Sequence, residues 1–310
     1  MQSPQPQVVL RVALPVPLRQ LFDYLPADTA VKPQPGMRAL LPFGHRKMLG
    51  VIVEVTNKSD MPIEKLATVI GYPDEGQLVL SDESLELLRW CWRYYKHAPG
   101  EVVFNALPPL LRKPGGTIPP PPVQYRLTAA GEERLQSPPG RIKAQMGMLE
   151  VMRKGPVTGS QLRAVSPSWR KTIKRLLEQD WVVVEERQAT QPEPSAGPKL
   201  IDEQRTAVDA IGKTLGGFHC HLLDGITGSG KTEVYLHLLE RILEQGGQAL
   251  LLVPEIGLTP QLLNRFKKRL GFEPVVTHSG LSEGQRLQAW AMAKRGLARL
   301  VIGTRSALFL

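Results

Sequence analysis

Eight residues of this 310-residue chain carry a chemistry that can be read from their types and spacing alone: Gly225, Ile226, Thr227, Gly228, Ser229, Gly230, Lys231 and Thr232, a full match to GxxxxGK[ST]. Glycines allow a tight turn in which successive amide N–H groups converge, and the helix that follows turns its positive end to the same point, so the loop suits phosphates. Lys231 then reaches the β and γ phosphates of ATP, and Thr232 offers its hydroxyl to Mg²⁺. The reading requires a strand before the loop and a helix after it. "FHCHLLDG" supplies the first pattern and "GKTEVYLHLLERILEQG" the second. Hydrolysis requires more, namely a carboxylate that orients the metal and a group that positions water. Glu255 closes the apolar run "ALLLVPE", but a proline precedes it and no second acid follows, while "RLVIGTRS" carries Thr304 and Arg305 where acids would stand. A cradle of this kind predicts nucleotide binding before it predicts turnover.

The elements that must hold the loop alternate strand and helix from 199 to 310, which predicts a parallel sheet covered on both faces. Two proline-rich stretches, "LRKPGGTIPPPPVQ" (111–124) and "RQATQPEPSAGPKL" (187–200), mark seams on either side of a middle segment. The chain therefore divides at 1–112, 123–187 and 199–310. The first segment opens with β signals, "VVLRVAL", "MRALLPFG" and "LGVIVEVT", and predicts a small, mostly β barrel. A helix over 81–97 follows, with Ser81 as its cap. Its mixture of Trp90, Trp92, Arg93, Tyr94, Tyr95 and Lys96 is either a stacking platform for single-stranded nucleic acid or a core stripe with a wet basic face; the core stripe is the expectation.

In the middle segment three helices precede the strand "WVVVEE", the third helix with Ser166 as its cap and Pro167 at its first position, so the pattern reads as a winged helix. Residues 126–187 hold twelve basic and seven acidic residues, net +5, half of the formal +10 of the whole chain. The charge concentrates in Arg170, Lys171, Lys174 and Arg175 of the third helix, as in a helix that contacts DNA phosphates or a groove; a protein-binding winged helix with a solvated basic face is the alternative. A net charge of this sign favours a polyanion. Two cysteines, Cys91 and Cys220, are too few for a disulfide framework or a zinc-ligand spacing and are expected to be buried, reduced thiols. With no leader and no apolar run of spanning length, the chain reads as cytoplasmic, without a membrane partner.

The strings "LFDYLP", "PGMRALLPFG", "ALPPLLR", "DGITGSGKTEVYL", "VPEIGLTPQ", "THSGLSEGQR" and "VIGTRSALF" occur in this order, and together they resemble the replication-restart helicase family PriA (primosomal protein N′) along the whole chain. The resemblance implies a 3′ DNA-binding domain at 1–112, a winged helix at 123–187 and, at 199–310, the first, RecA-like lobe of a superfamily-2 helicase. It implies ATP and Mg²⁺ as cofactors and an ATP-dependent 3′ to 5′ helicase that recognises stalled forks and initiates primosome assembly. Its partners would be forked DNA with a 3′ end, single-strand binding protein and other primosome proteins, and the protein a monomer. The family's pocket for a DNA 3′ end maps to Phe22, Asp23 and Gly44, with Phe22 stacking on the base and Asp23 accepting from the hydroxyl; where the family often has a lysine this chain has Ala67, with Lys65 close by. The glutamine that reads adenine maps to Gln204, and residues 254–261 and 303–306 to motifs that hold the DNA backbone. The family continues with an acidic strand end, a zinc module and a second lobe, none of which falls within this sequence, so it reads as an amino-terminal piece that binds DNA and nucleotide without turnover. Two other readings stay open: a DNA-binding scaffold without catalysis, and a small P-loop NTPase or kinase using Glu255.

Overall fold

The computed structural model describes residues 8–136, 143–187, 195–254, 257 and 259–310. The chain forms two compact units, one of residues 1–119 with 191–310 and the other of 120–190. In the first unit, strands β1 (Val9–Ala13), β2 (Phe22–Tyr24), β3 (Arg38–Phe43) and β4 (Arg46–Thr56) form an antiparallel sheet in the order β2-β1-β4-β3. Single bridges, Leu25 with Thr68 and Leu40 with Gly71, prolong its edges.

The near-continuous apolar run of β4 has a simple cause: both faces of the strand are covered. Leu49, Val51 and Val53 point into one core with Leu85, Leu88, Val103 and Leu111, while Ile52 points into another with Leu10, Val12, Ala39 and Leu41. Between them Gly50 must stay glycine, because a Cβ there would sit 2.4 Å from Val12 Cγ1 and 2.6 Å from Leu41 Cδ1. Helix α1 (Asp82–Tyr94) starts where Ser81 accepts a hydrogen bond from the Ser84 amide at 3.2 Å, with Asp82 and Glu83 complementing its dipole. Helix α2 (Pro99–Ala106) and a 3₁₀ turn at Pro109–Arg112 complete this layer. One buried ion pair ties it down. Arg38 donates through Nε to Asp74 at 2.6 Å, again through Nη2 to the same carboxylate, and to the carbonyls of Leu111 and Gly116, both at 2.7 Å.

The second unit contains β5 (Val123–Leu127), α3 (Ala129–Gln136), α4 (Lys143–Arg153), β6 (Val157–Thr158), α5 (Gly159–Val165), α6 (Trp169–Glu178) and β7 (Val182–Glu186). Its three strands pair antiparallel in the order β6-β5-β7 over a core of Met148, Leu149, Leu162, Trp169, Ile173 and Leu176. Helix α6 begins two residues later than the Ser166–Pro167 pattern suggests. The Trp169 amide donates to the Ser166 carbonyl at 3.1 Å, a tight turn that precedes the helix, and the Ser166 hydroxyl meets that of Ser168 instead of capping.

The rest of the first unit holds α7 (Asp202–Gly212), α8 (Lys231–Glu244), β8 (Ala249–Leu252), α9 (Pro260–Leu270), β9 (Val275–Thr277), α10 (Glu283–Lys294) and β10 (Leu300–Gly303). The three strands run parallel in the order β8-β10-β9. Leu236, Leu239 and Leu243 of α8 and Phe266 and Leu270 of α9 pack on one face through Leu300 and Ile302. Cover on both faces, the expectation for such a sheet, does not extend to β8, whose Leu250 and Leu252 are exposed. Ala249 and Leu251 face the α8–α9 cluster, and Leu250 and Leu252 point to the opposite face, where no apolar cluster among the described residues meets them. The run 218–224, expected as a strand, pairs with none of β8, β9 or β10. Phe218 and Leu222 of that run are 97% and 93% exposed, and only Leu223 joins a core, beside Val208, Val234 and Leu238. The amino-terminal and carboxyl-terminal parts of the unit share a core, since Leu287, Trp290 and Ala291 of α10 cluster with Leu107 and Leu111.

Candidate functional site

The phosphate-binding pattern folds as a turn that opens helix α8. Gly228 and Gly230 take positive φ angles of 85° and 81°, which only glycine adopts without strain, and Gly230 is the last residue before the helix. The Glu233 amide donates to the Gly230 carbonyl at 2.8 Å, whereas the amides of Gly230, Lys231 and Thr232 have no acceptor among the described residues. Those are the orphan donors of a helix start, and they fit an anion. Ser229 lies by Gly225, where a Cβ would meet its hydroxyl at 2.8 Å. Gln204, on α7, is brought to the loop: its Nε2 donates to the Ser229 carbonyl at 3.1 Å and its Oε1 accepts from the Ile201 amide at 3.2 Å. Thr227 stands exposed at the tip and Thr232 half-buried on the first helical turn.

Lys231 is turned onto its own loop. Its ammonium donates to the carbonyls of Gly225 and Ile226, the second at 2.9 Å. Those oxygens stand in for phosphate oxygens, so a triphosphate must displace them before the lysine can reach it. Amides, ammonium and hydroxyl together fit a nucleotide polyphosphate; Gly228 to Thr232 would hold it and Thr232 would offer the metal its hydroxyl. Glu255 and the middle of the 254–261 motif lie outside the described residues. Among those described, no three His, Cys, Asp or Glu side chains gather as a metal site.

Phe22 and Asp23 of β2 line a cleft of about 330 Å³ together with Asp60, Met61, Lys65 and Ala67. The segment opposite is held by main-chain bonds, Leu25 N–H to the Ala67 carbonyl and Val69 N–H to the Leu25 carbonyl, each 2.9 Å. Phe22 is fixed by the ring of Phe43, edge-on at 5.4 Å, and Asp23 lies 3.7 Å from Arg11. Gly44 is not on the cleft wall. It sits in the β3–β4 turn directly after Phe43, with a φ of 56°. Lys65, two residues before Ala67, lies on the same wall.

At the carboxyl end of β10, the Thr304 amide donates to the Thr277 carbonyl at 3.3 Å, and Arg305 projects into solvent. In the second unit α6 buries Trp169, Ile173 and Leu176 and exposes Arg170, Lys171, Lys174 and Arg175, a clean division of faces. Arg170 lies over the Trp169 ring at 4.9 Å, and Lys174 is 4.0 Å from Glu178.

Two expectations fail at exposed positions. Trp90, Tyr94 and Tyr95 are not core: they are 52%, 65% and 66% exposed, with Trp90 and Tyr94 stacked at 4.8 Å beside Arg89 and Arg93. Helix α1 has two faces, and while Leu85, Leu88 and Trp92 serve the core, positions 90 and 94 meet at i,i+4 on the other side. Cys220 lies exposed and Cys91 is half-buried, both as free thiols, because the run that contains Cys220 joins no sheet. Among the described residues, no helix is long and apolar enough to cross a membrane.

The family model described as 3′ DNA-binding domain (3′BD) matches residues 11–108, and the DEAD/DEAH box helicase model matches residues 202–310. The chain is 38% identical to the replication restart protein PriA of Haemophilus influenzae over an alignment that covers 97% of this chain and 42% of that protein. It is 32% identical to the protein of the same name from Chlamydia pneumoniae, covering 94% of this chain and 40% of the relative. With Bacillus subtilis PriA the identity is 51% over 112 residues, 36% of this chain and 14% of the relative. The chain thus spans about two fifths of the first two relatives (42% and 40%). Matched along nearly all of its own length by these proteins, and carrying both a 3′ DNA-binding region and a helicase region, the chain belongs to the family of the replication restart protein PriA.

Proposed function

We propose that the chain binds the 3′ end of a DNA strand in the cleft of Phe22, Asp23 and Lys65, and presents the adjoining strand to a P-loop lobe that uses ATP and Mg²⁺. In the whole protein this serves a 3′ to 5′ helicase that recognises abandoned forks and starts primosome assembly, with single-strand binding protein and other primosome proteins as partners. The observation that carries the reading is the shared core: the layer that supports the 3′-end cleft and helix α10 of the P-loop lobe bury Leu107, Leu111, Leu287 and Trp290 together, so end recognition and the motor lobe belong to one folded unit. The architecture we assign to it is a small barrel at 1–112, a winged helix at 123–187 and a RecA-like lobe at 199–310. The trihelical core and three-stranded ribbon of the second unit support the winged helix, whose exposed Arg170, Lys171, Lys174 and Arg175 would meet DNA phosphates. Gly225, Thr227, Gly228, Ser229, Gly230, Lys231 and Thr232 would hold ATP with Gln204 beside them, and Thr304 and Arg305 would touch the DNA backbone. By the same reading, this 310-residue chain binds DNA, and nucleotide at the loop, without turning ATP over.

The test compares recessed 3′ ends that carry a hydroxyl or a phosphate, by fluorescence anisotropy. A hydrogen bond from the terminal hydroxyl to the Asp23 carboxylate contributes about 1.5–3 kcal/mol, so the hydroxyl end binds at least about tenfold tighter. Asp23→Ala removes the preference, and Phe22→Ala, which loses the stacking on the base, weakens both ends alike. Equal affinity of the unaltered chain for both ends sinks the assignment.

A further inference from the structure

Beyond the carboxyl ends of β9 and β10 lies a cleft of about 80 Å³, lined by Asn105, Arg112, Thr277, Arg286, Trp290 and Ser306 with their neighbours. Open α/β sheets take their ligands at this edge of the strands. The residues come from both parts of the first unit, Arg112 from the 3₁₀ turn after α2 and Arg286 from α10. Each guanidinium is anchored by main-chain carbonyls. Arg112 donates through Nε to Leu107 at 2.9 Å and through Nη2 to Asn105 at 3.1 Å, and Arg286 through Nε to Leu281 at 3.1 Å. Arg112 Nη1 and both Nη groups of Arg286 have no acceptor among the described residues. The acid in this neighbourhood, Glu283, is held by Lys113 at 3.0 Å.

Two permanent cations facing one small cleft repel each other, and the arrangement is relieved by an anion. Burial first, and then the Arg286 charge, lower the pKa of Arg112, while Glu283 raises it. The cleft has room for one tetrahedral anion and none for a nucleoside, and the exposed hydroxyl of Ser306 adds a donor at its mouth.

We infer that this cleft holds one backbone phosphate of the DNA strand crossing residues 303–306, gripped jointly by Arg112 and Arg286. The inference rests on the proposed DNA-binding role of the lobe and adds to it a contact that neither the loop motif nor the 3′-end cleft contains. Arg112 belongs to the DNA-end region and Arg286 to the helicase region, so one phosphate is shared by the two. Such a contact positions a strand without reading its sequence.

The experiment uses the 310-residue chain and a duplex with a single-stranded 3′ tail, titrated with salt. Arg112→Gln with Arg286→Gln lowers the slope of log Kobs against log salt by about 1 and weakens binding several-fold at low salt. The paired lysine variants, which keep the charge, keep the slope. A tail scanned with single neutral methylphosphonates shows one position whose neutralisation weakens the unaltered chain and leaves the double glutamine variant untouched. Melting curves report folding, and where Arg112→Gln fails to fold, Arg286→Gln alone carries the comparison. An unchanged slope together with an unchanged methylphosphonate profile overturns the inference while the DNA-binding reading survives. Inorganic phosphate that binds the unaltered chain without competing against the DNA overturns it too, by marking the cleft as a free-anion site. A chain that binds no DNA at all overturns the proposed function itself.

Discussion

Removing the carboxylate of Asp74 isolates a charge that has no route to water. The Arg38 side chain is fully buried and that of Asp74 is 4% exposed, and their two-pronged contact satisfies Nε and one bond of Nη2. In Asp74→Ala the guanidinium keeps the carbonyls of Leu111 and Gly116 and loses the one carboxylate it meets among the described residues. Breaking a buried pair from one side costs about 3–5 kcal/mol. For a unit of this size about 2–4 °C accompanies each kcal/mol, so the melting transition of the first unit falls by roughly 6–20 °C. Arg38→Met with Asp74→Leu removes both charges and leaves only two carbonyls to be satisfied, and Gly116 lies within reach of water. The double variant is therefore more stable than Asp74→Ala. Scanning calorimetry separates the first unit from the second. A shift below about 2 °C for Asp74→Ala, or a double variant that melts below the single, refutes the claim that the pair fastens residues 111–116, and with them Arg112, to the sheet.

Three further outcomes follow from single contacts. Gly50→Ala drives a methyl into Val12 and Leu41, so its urea midpoint falls by the equivalent of about 1–3 kcal/mol, and an unchanged midpoint means that the core is looser than its packing. Lys231→Ala abolishes the thermal stabilisation that ATP with Mg²⁺ gives the unaltered chain, which is about 2.7 kcal/mol at a hundredfold excess over Kd; equal stabilisation in both proteins excludes the loop as the site. Glu240 is raised above the ordinary carboxylate pKa by burial, which outweighs Arg269. The folded state then holds this proton more tightly than the unfolded state, so stability falls as pH rises through the range just above 4.5, and Glu240→Gln flattens that limb in pH-dependent urea melts.

Features governed by a few adjacent residues were legible in the sequence. Ser81 with Asp82 and Glu83 announces the start of α1, Gly230 and Lys231 mark the first turn of α8, and the apolar stripe of α6 separates Trp169, Ile173 and Leu176 from its arginines and lysines, because caps, glycine turns and helical periodicity are local physics. Phe22 and Asp23, consecutive residues on a strand, were singled out through the family resemblance and not by a local pattern. Lys65 was harder to assign because it reaches the cleft across a main-chain connection between residues 25 and 67–69 that no local pattern encodes. Arg112 and Arg286 are 174 positions apart in sequence (286 − 112), and nothing in either surrounding motif says that they face one cleft.

The two misreadings have different causes. Alternation of apolar and polar residues in "FHCHLLDG" describes a surface that would suit a sheet, but a strand is a property of a pair, and parallel pairing is made only through long crossovers. Without that pairing Phe218 and Leu222 remain in water and Cys220 remains with them. The same unpaired approach leaves Gly225 and Ile226 with carbonyls to satisfy, and Lys231, whose ammonium is the strongest donor within reach, turns back to them. On α1 the error ran the other way: a helix has more than one face, so aromatic residues at helical spacing tell which rings meet one another and not which side meets the protein. Trp90 and Tyr94 do meet, at 4.8 Å, on the side that Leu85 and Leu88 do not use.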